Sequence, residues 1–287
     1  MPHLTRRQAV AGLASLGGAA ALGMPSVIAG VVSSRGNSRI KQSVARWCYA
    51  STPLDDLCAA AASFGFRSVE LLGESEWPTA REHGLECAMA SSFGSIAVGF
   101  NRPSAHDALV SAGEALIPKA AAAGVPNIVV FSGNRYGMSD GEGIANCITG
   151  LRRLMPAAER HGVTLCMEML NSKVDHKDYH ADHTGWAVEV VKGVDSPRFK
   201  LLYDIYHMQV MEGDVIATIR ANAPHIAHFH TGGVPGRGEI DDSQELNYPA
   251  VMRAIAELEF GGYVGQEFIP RRDPLSSLRE AFAVCDV

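Results

Sequence analysis

The chain has 287 residues, enough for one large α/β domain or two small ones. Charged residues make up 20% and hydrophobic residues 47%, the balance of an ordinary soluble globular protein. The formal net charge is −6 and no run of Lys and Arg builds a basic face, which argues against nucleic acid as a partner.

The N-terminus differs from the rest. Thr5-Arg6-Arg7-Gln8 precedes a Gly/Ala-rich apolar stretch from Ala9 to Met24, and Val27-Ile28-Ala29 offers small residues suited to a signal-peptidase site. The paired arginines point to the twin-arginine export route, although Ala9 and Val10 stand where a stronger signal carries bulky apolar residues. The stretch falls short of the ~20 strongly apolar residues a membrane span needs. Residues 1–38 are therefore expected to form a leader and linker, and 39–287 the folded domain. The expected location is the periplasm, or the cytoplasm if the leader does not work, with membrane contact only through the leader. Cys48, Cys58, Cys87, Cys147, Cys166 and Cys285 show no C-x-x-C pair and no disulfide framework. Cys48, Cys87 and Cys166 fall inside strand-like runs, where cysteine is usually a small buried hydrophobe.

From Ser43 onward, strand-like runs alternate with helix-like segments. Eight strands are predicted, at 44–49, 68–72, 86–91, 127–132, 164–169, 200–204, 225–230 and 263–268. They are rich in Val, Ile, Leu, Phe and Cys and rarely alternate with charge, as strands buried on both faces do. Helical spacing of apolar residues marks Leu54–Phe64, His106–Ala123, Gly143–His161, Thr184–Val194, Asp214–Asn222 and Tyr248–Leu258. Gly65, Gly84, Gly124, Gly162 and Gly261 each follow a helix-like run, the usual place of a left-handed cap. Eight strand–helix units predict a single α/β domain, a (β/α)8 TIM barrel, rather than an open doubly wound sheet. No Gly-rich phosphate fingerprint follows the first strand. Barrels of this type often pair through their helices, so a homo-oligomer is an open possibility.

Four of the strands end in a possible metal ligand: Glu168, Asp204, His230 and Glu267, separated by 36, 26 and 37 residues. One strand–helix unit of a barrel takes roughly 30 residues. The four residues therefore fall at the C-terminal tips of successive parallel strands, at the mouth where barrel active sites lie. One carboxylate at a strand end is often merely solvated. Three carboxylates and an imidazole converging on one mouth would repel unless a divalent cation held them. The oxygen-rich set suits Mg²⁺ or Mn²⁺, with Co²⁺ also possible.

Other residues are weaker candidates. His207, three residues beyond Asp204, is placed to hydrogen-bond a substrate oxygen, or merely to cap a helix. Arg237, in a Gly-flanked loop after the seventh predicted strand, could hold a substrate carboxylate or hydroxyl. Glu70 ends the second predicted strand and is a possible substrate contact, in competition with Glu74. Lys173, Arg102 and Arg135 lie in loops at the mouth as possible anion holders, though each suits a solvated surface position as well. His176, His180 and His183 are too loosely spaced for a second metal centre and suit a supporting or surface role.

Several motifs carry a family resemblance: Phe131-Ser132-Gly133-Asn134-Arg135, Cys166-Met167-Glu168, Leu202-Tyr203-Asp204-Ile205-Tyr206-His207-Met208-Gln209, Gly233-Val234-Pro235-Gly236-Arg237 and Gln266-Glu267-Phe268. From about Trp47 onward the chain resembles the hydroxypyruvate isomerase group of xylose isomerase-like barrels. The resemblance implies an aldose–ketose type isomerisation with one divalent metal ion. It implies that Glu168 and Glu267 are paired catalytic glutamates, that Asp204 is a metal ligand, and that His207 and Arg237 contact a small hydroxy-keto acid or sugar. In hydroxypyruvate isomerases a glutamine stands where this chain has His230, whereas the related ketose 3-epimerases have histidine there. A ketose 3-epimerase, or a lyase or hydrolase of 3-keto sugars, is thus the nearest rival on the same barrel. A sugar-binding protein without catalysis is a rival of another class, and an abasic-site nuclease would need more histidine ligands and a basic groove.

Overall fold

The computed structural model describes residues 39–287; the expected leader and linker lie outside the described residues. Seven parallel strands form one sheet in the order β2-β1-β7-β6-β5-β4-β3. They are β1 (Lys41–Ala45), β2 (Ser68–Glu70), β3 (Asn127–Val130), β4 (Thr164–Glu168), β5 (Phe199–Asp204), β6 (Ile226–Thr231) and β7 (Tyr263–Gln266). Helices follow most of the strands, as crossover connections between parallel strands require.

The predicted strand at 86–91 is present in place but not in ladder. Parallel bridges join Ser68 to Glu86, Leu72 to Ala90 and Ala90 to Ile128, so this segment links β2 to β3 and closes the ring. Side chains break its ladder. The Ala88 amide donates to Ser68 Oγ at 2.8 Å, and its carbonyl accepts from Asn127 Nδ2 at 2.8 Å. A hydrophobic run predicts where a strand passes, but not that neighbouring Ser and Asn side chains will take over its backbone groups.

The first strand also differs from expectation. It ends at Ala45, and Arg46–Tyr49 turn into a 3-10 helix. Trp47 therefore stands at the barrel mouth, outside the strand. The predicted helix at 143–161 is two helices, α4 (Asp140–Arg152) and α5 (Met155–His161). Pro156 lies in the first turn of α5 and has no N–H to continue the α4 ladder. Gly65 and Gly162 are left-handed caps as expected. Near Gly261 the left-handed residue is instead Glu259.

Alternation along the strands sorts side chains into two sets. One set packs against the helices in a continuous core that includes Val69, Ile128, Leu165, Leu201, Phe229 and Val264. The other faces the barrel interior. There Met89, Val129, Cys166 and Leu202 form a small separate apolar cluster. Two residues further along β4 and β5 the same inward rows end in Glu168 and Asp204. None of the described helices is long and apolar enough to cross a membrane.

Candidate active site

Glu168 and Asp204 are the last residues of β4 and β5, His230 lies near the end of β6, and Glu267 follows β7. Strand register places Asp204 beside His230 and His230 beside Gly265, two residues before Glu267. One ligand atom from each of Glu168, Asp204, His230 and Glu267 lies within 4.8 Å of the others, and all four residues are buried. His230 Nδ1 is 3.1 Å from Glu168 Oε1 and 2.7 Å from Glu267 Oε2. The even spacing seen in the sequence thus brings the four residues together at one point. Three carboxylate oxygens and one imidazole nitrogen form a donor set that could hold a hard divalent cation.

The electrostatics show how crowded this negative charge is. Burial, opposed in part by Arg237 and reinforced by Glu267, raises Asp204 to about 7. Burial and the neighbouring Glu267 also raise Glu168. Glu267 goes the other way: burial opposes its ionisation, but Arg237 and His230 outweigh it and hold the carboxyl well below its usual range. Trp47 Nε1–H adds a hydrogen bond to Glu267 Oε1 at 2.6 Å. His230 is raised well above its usual value, because Glu267 and the carboxylate hydrogen bonds overcome desolvation.

Arg237 supplies the positive charge among these acids. It stands on a tight loop with φ of 53°, and its carbonyl accepts from Ile269 N at 2.6 Å. Its Nε donates to the Glu267 carbonyl at 3.0 Å, and its Nη2 donates to Asp204 Oδ2 at 2.9 Å and to Glu267 Oε2. The guanidinium also lies between the rings of Trp47 and Tyr206, 5.3 and 5.4 Å from their centroids.

His207 is buried on α7 (Ile205–Met211), whose first turn is capped by the Asp204 carboxylate accepting from His207 N at 3.0 Å. Burial, with Arg237 alongside, holds the ring well below its usual pKa and hence neutral. The Asn171 backbone N–H donates to His207 Nδ1 at 3.1 Å, which puts the ring proton on Nε2. Nε2 faces Arg237 Nη1 at 2.7 Å. A guanidinium can only donate, so a donor there opposes a donor.

The remaining predicted residues are placed differently. Glu70 was expected at the substrate; it lies fully buried beneath His230, with Oε1 2.7 Å from His230 Nε2 and 2.9 Å from His228 Nε2. Burial resists its ionisation, yet His228 and the imidazole hydrogen bonds bring it down to about 2. Lys173 was expected to hold an anion; its Nζ donates to the Val210 and Met211 carbonyls at 3.1 and 2.8 Å, at the C-terminal end of α7. Those carbonyls have no partner within the helix, so the ammonium completes them and stays out of the mouth. Arg135 pairs with Asp182, and Arg102 donates to the Asn134 and Arg135 carbonyls. Glu74 forms a surface pair with Lys119. Of the three loop histidines, only His176 reaches the cavity, with its ring centroid 5.3 Å from that of His207.

A cavity of about 550 Å³ opens above the ligand cluster. Glu168, Glu267, Arg237 and His176 line one part, and apolar side chains including Leu71, Val129, Phe131 and Leu170 line much of the rest. Sequence reasoning missed Trp47 and Asn171. Trp47 was hidden by a strand boundary set four residues too late. Asn171 meets His207 Nδ1 through both its backbone N–H and its side-chain Nδ2, at 3.1 and 2.7 Å, a contact across 36 residues that local sequence does not reveal.

The model of the family described as "Xylose isomerase-like TIM barrel" matches residues 58–286. A 2-oxo-tetronate isomerase of Pectobacterium atrosepticum is 29% identical over 236 residues, covering 78% of this chain and 89% of that protein. The hydroxypyruvate isomerase of Escherichia coli is 30% identical over 135 residues, 47% of this chain and 52% of that protein. A crystal structure described as an AP endonuclease, family 2, from Brucella melitensis superposes with a TM-score of 0.75 at 23% identity, covering 83% of this chain and 97% of that one. The last likeness concerns the fold alone. The chain belongs to the xylose isomerase-like TIM barrel family and is an isomerase.

Proposed function

We propose that the protein is a metal-dependent isomerase that interconverts an α-hydroxy ketone and its aldehyde isomer through an enediolate, with hydroxypyruvate and tartronate semialdehyde as the leading pair. The observation that carries this reading is the convergence of Glu168, Asp204, His230 and Glu267 on one buried point. The donor set fits one divalent ion, Mg²⁺ or Mn²⁺, and the raised Asp204 and Glu168 mark a cluster short of positive charge. A bound cation would supply Lewis-acid stabilisation of the negative charge that develops on the enediolate.

The chain's own groups divide the proton work. Glu267 is held ionised and is the base that takes the proton from the carbon bearing the hydroxyl. That proton is returned to the former carbonyl carbon by Glu267 itself or through its partner Glu168, which faces the same His230 nitrogen. The hydroxyl proton passes from one substrate oxygen to the other, so the product is an isomer with no redox partner consumed. Trp47 fixes the orientation of Glu267 through its indole N–H. His207 offers Nε2–H to a substrate oxygen. The opposition between that donor and Arg237 marks the guanidinium as the group that gives way, because the Asn171 amide on the far side is fixed in the backbone. Asp204 and Glu267 would help hold the ion, and Arg237 beside them is the cation placed to meet a substrate carboxylate.

One observation favours a second reading within the same chemistry. A cavity of about 550 Å³ with an extensive apolar wall exceeds a three-carbon acid and would admit a ketose or a 3-keto glycoside. Proton NMR in D₂O with Mn²⁺-loaded protein tests both. Metal-dependent deuterium uptake from hydroxypyruvate supports the first substrate. Uptake only from D-fructose or a 3-keto glucoside keeps the mechanism and replaces the substrate. No uptake from any of them in metal-loaded protein overturns the reading.

A further inference from the structure

We propose that Glu70 is a positioning residue: with His228 it forms a floor beneath His230 that ties down Nε2 and presents Nδ1 to the cation. The inference rests on His230 being a cation ligand, as proposed above.

His228 and His230 are two apart on β6, so both side chains enter the barrel interior from one strand. Both Nε2 atoms meet the same carboxylate oxygen, Glu70 Oε1. A carboxylate oxygen accepts, so each ring carries its proton on Nε2. By the same rule the Glu168 and Glu267 carboxylates draw a second proton onto His230 Nδ1, which a bound cation would displace. His228 is left with Nδ1 bare, and that atom is buried without a partner. A ring orientation and tautomer fixed by a carboxylate on the far nitrogen is the arrangement that makes histidine a good ligand.

The packing is arranged to let the carboxylate reach. Glu70 starts on β2 and crosses the interior past β1 and β7 to arrive under β6. Gly265, the β7 partner of His230, leaves the passage open. A Cβ there would lie 2.4 Å from Glu70 Oε1 and 2.9 Å from His230 Cδ2. Glu70, His228 and His230 also lie close enough to be ligands of a second ion. That alternative would require His230 to serve two ions at once through opposite nitrogens, with Glu70 Oε1 taken from both hydrogen bonds.

The test uses the full chain with Mn²⁺ as the probe. Affinity and stoichiometry are read by competition with a fluorescent chelator, and tautomers by proton–nitrogen correlation spectra of ¹⁵N-histidine-labelled protein. Glu70→Ala is expected to weaken Mn²⁺ about 10- to 100-fold and to abolish the Nε2–H pattern of His230. Glu70→Gln keeps an acceptor oxygen and is expected to recover part of both; it also serves if the alanine variant does not fold. Wild-type affinity and tautomer in either folded variant would overturn the proposal. So would two Mn²⁺ per wild-type chain with one lost in the variant, which would make the floor a metal site. Failure of the wild type to bind Mn²⁺ would sink the metal-dependent function instead, and the tautomer spectra would still report on Glu70.

Discussion

The two halves of the barrel mouth differ in kind. β4 to β7 and the turns after them deliver Glu168, Asp204, His230, Arg237 and Glu267. The half built from β2, the 86–90 segment and β3 presents Leu71, Val129 and Phe131 to the cavity. Its one acidic strand end, Glu70, is withdrawn beneath the opposite half. One side thus concentrates acidic side chains on one buried point, and the other supplies an apolar wall. Excluding water strengthens every charge interaction on the polar side. For the proposed reaction, the first half would set the rate and the second would choose the substrate.

The largest expected effect breaks the polar half. Glu267→Gln keeps the shape and removes the base, and isotope exchange from the accepted substrate should fall by about 10²–10⁴-fold. A loss under about tenfold would mean that another group takes the proton. Asp204→Asn keeps size but removes a ligand charge. It should weaken Mn²⁺ binding more than it perturbs the fold, as measured by chelator competition beside a thermal melt.

How much of this division was legible follows from residue type and spacing. Strand tips spaced near the barrel repeat announced Glu168, Asp204, His230 and Glu267, because the repeat length is set by the fold itself. The barrel was legible for the same reason, even though the 86–91 run lacks a regular ladder. Glu70 and Lys173 were not legible. Both occupy sequence positions that lead to the mouth, but where a long side chain turns is decided by what lies across the barrel. For Glu70 that is the pair of imidazoles on β6; for Lys173 it is the open carbonyls of α7. The apolar wall escaped notice because an inward Val or Phe and a core Val or Phe look alike in sequence.

The crowding of the polar half predicts a pH effect on the metal-free protein. Asp204 has an ordinary value of 3.8 and is raised to about 7, so the folded state holds a proton there that the unfolded chain releases. His230 is raised well above 6.5 and acts in the same direction at higher pH. His207, and with it His176, His180 and His225, is lowered by burial and acts oppositely, chiefly below about pH 7 where the unfolded imidazoles still hold protons. Between about pH 7 and 8 the folded state therefore binds more protons than the unfolded one, and stability falls as pH rises. The melting temperature of metal-free protein should drop across this window, and the gain on adding Mn²⁺ should grow with pH. A flat metal-free profile would mean that Arg237 already neutralises the cluster.

Smaller effects belong to the apolar half and the rim. Phe131→Ala enlarges the wall without touching the ligands. It should change KM for a sugar-sized substrate by about 10-fold while leaving that for hydroxypyruvate within about 2-fold. Equal changes for both would place the small acid against the wall too, and erase the distinction between the halves.

Lys173→Ala should do least. Its ammonium sits on the last carbonyls of α7, where such a charge contributes about 0.3–1 kcal/mol. A slightly lower melting temperature with unchanged kcat and KM is expected. His207 and Tyr206 lie on α7, so a loosened helix end could reach the site only by shifting them. They stand in its first turn, anchored by the Asp204 cap, and Lys173 acts on its last. A tenfold rise in KM in a variant that melts like the wild type would therefore mean that the loop after β4 swings Lys173 over the mouth when substrate binds, and that the charged half extends beyond the strand tips.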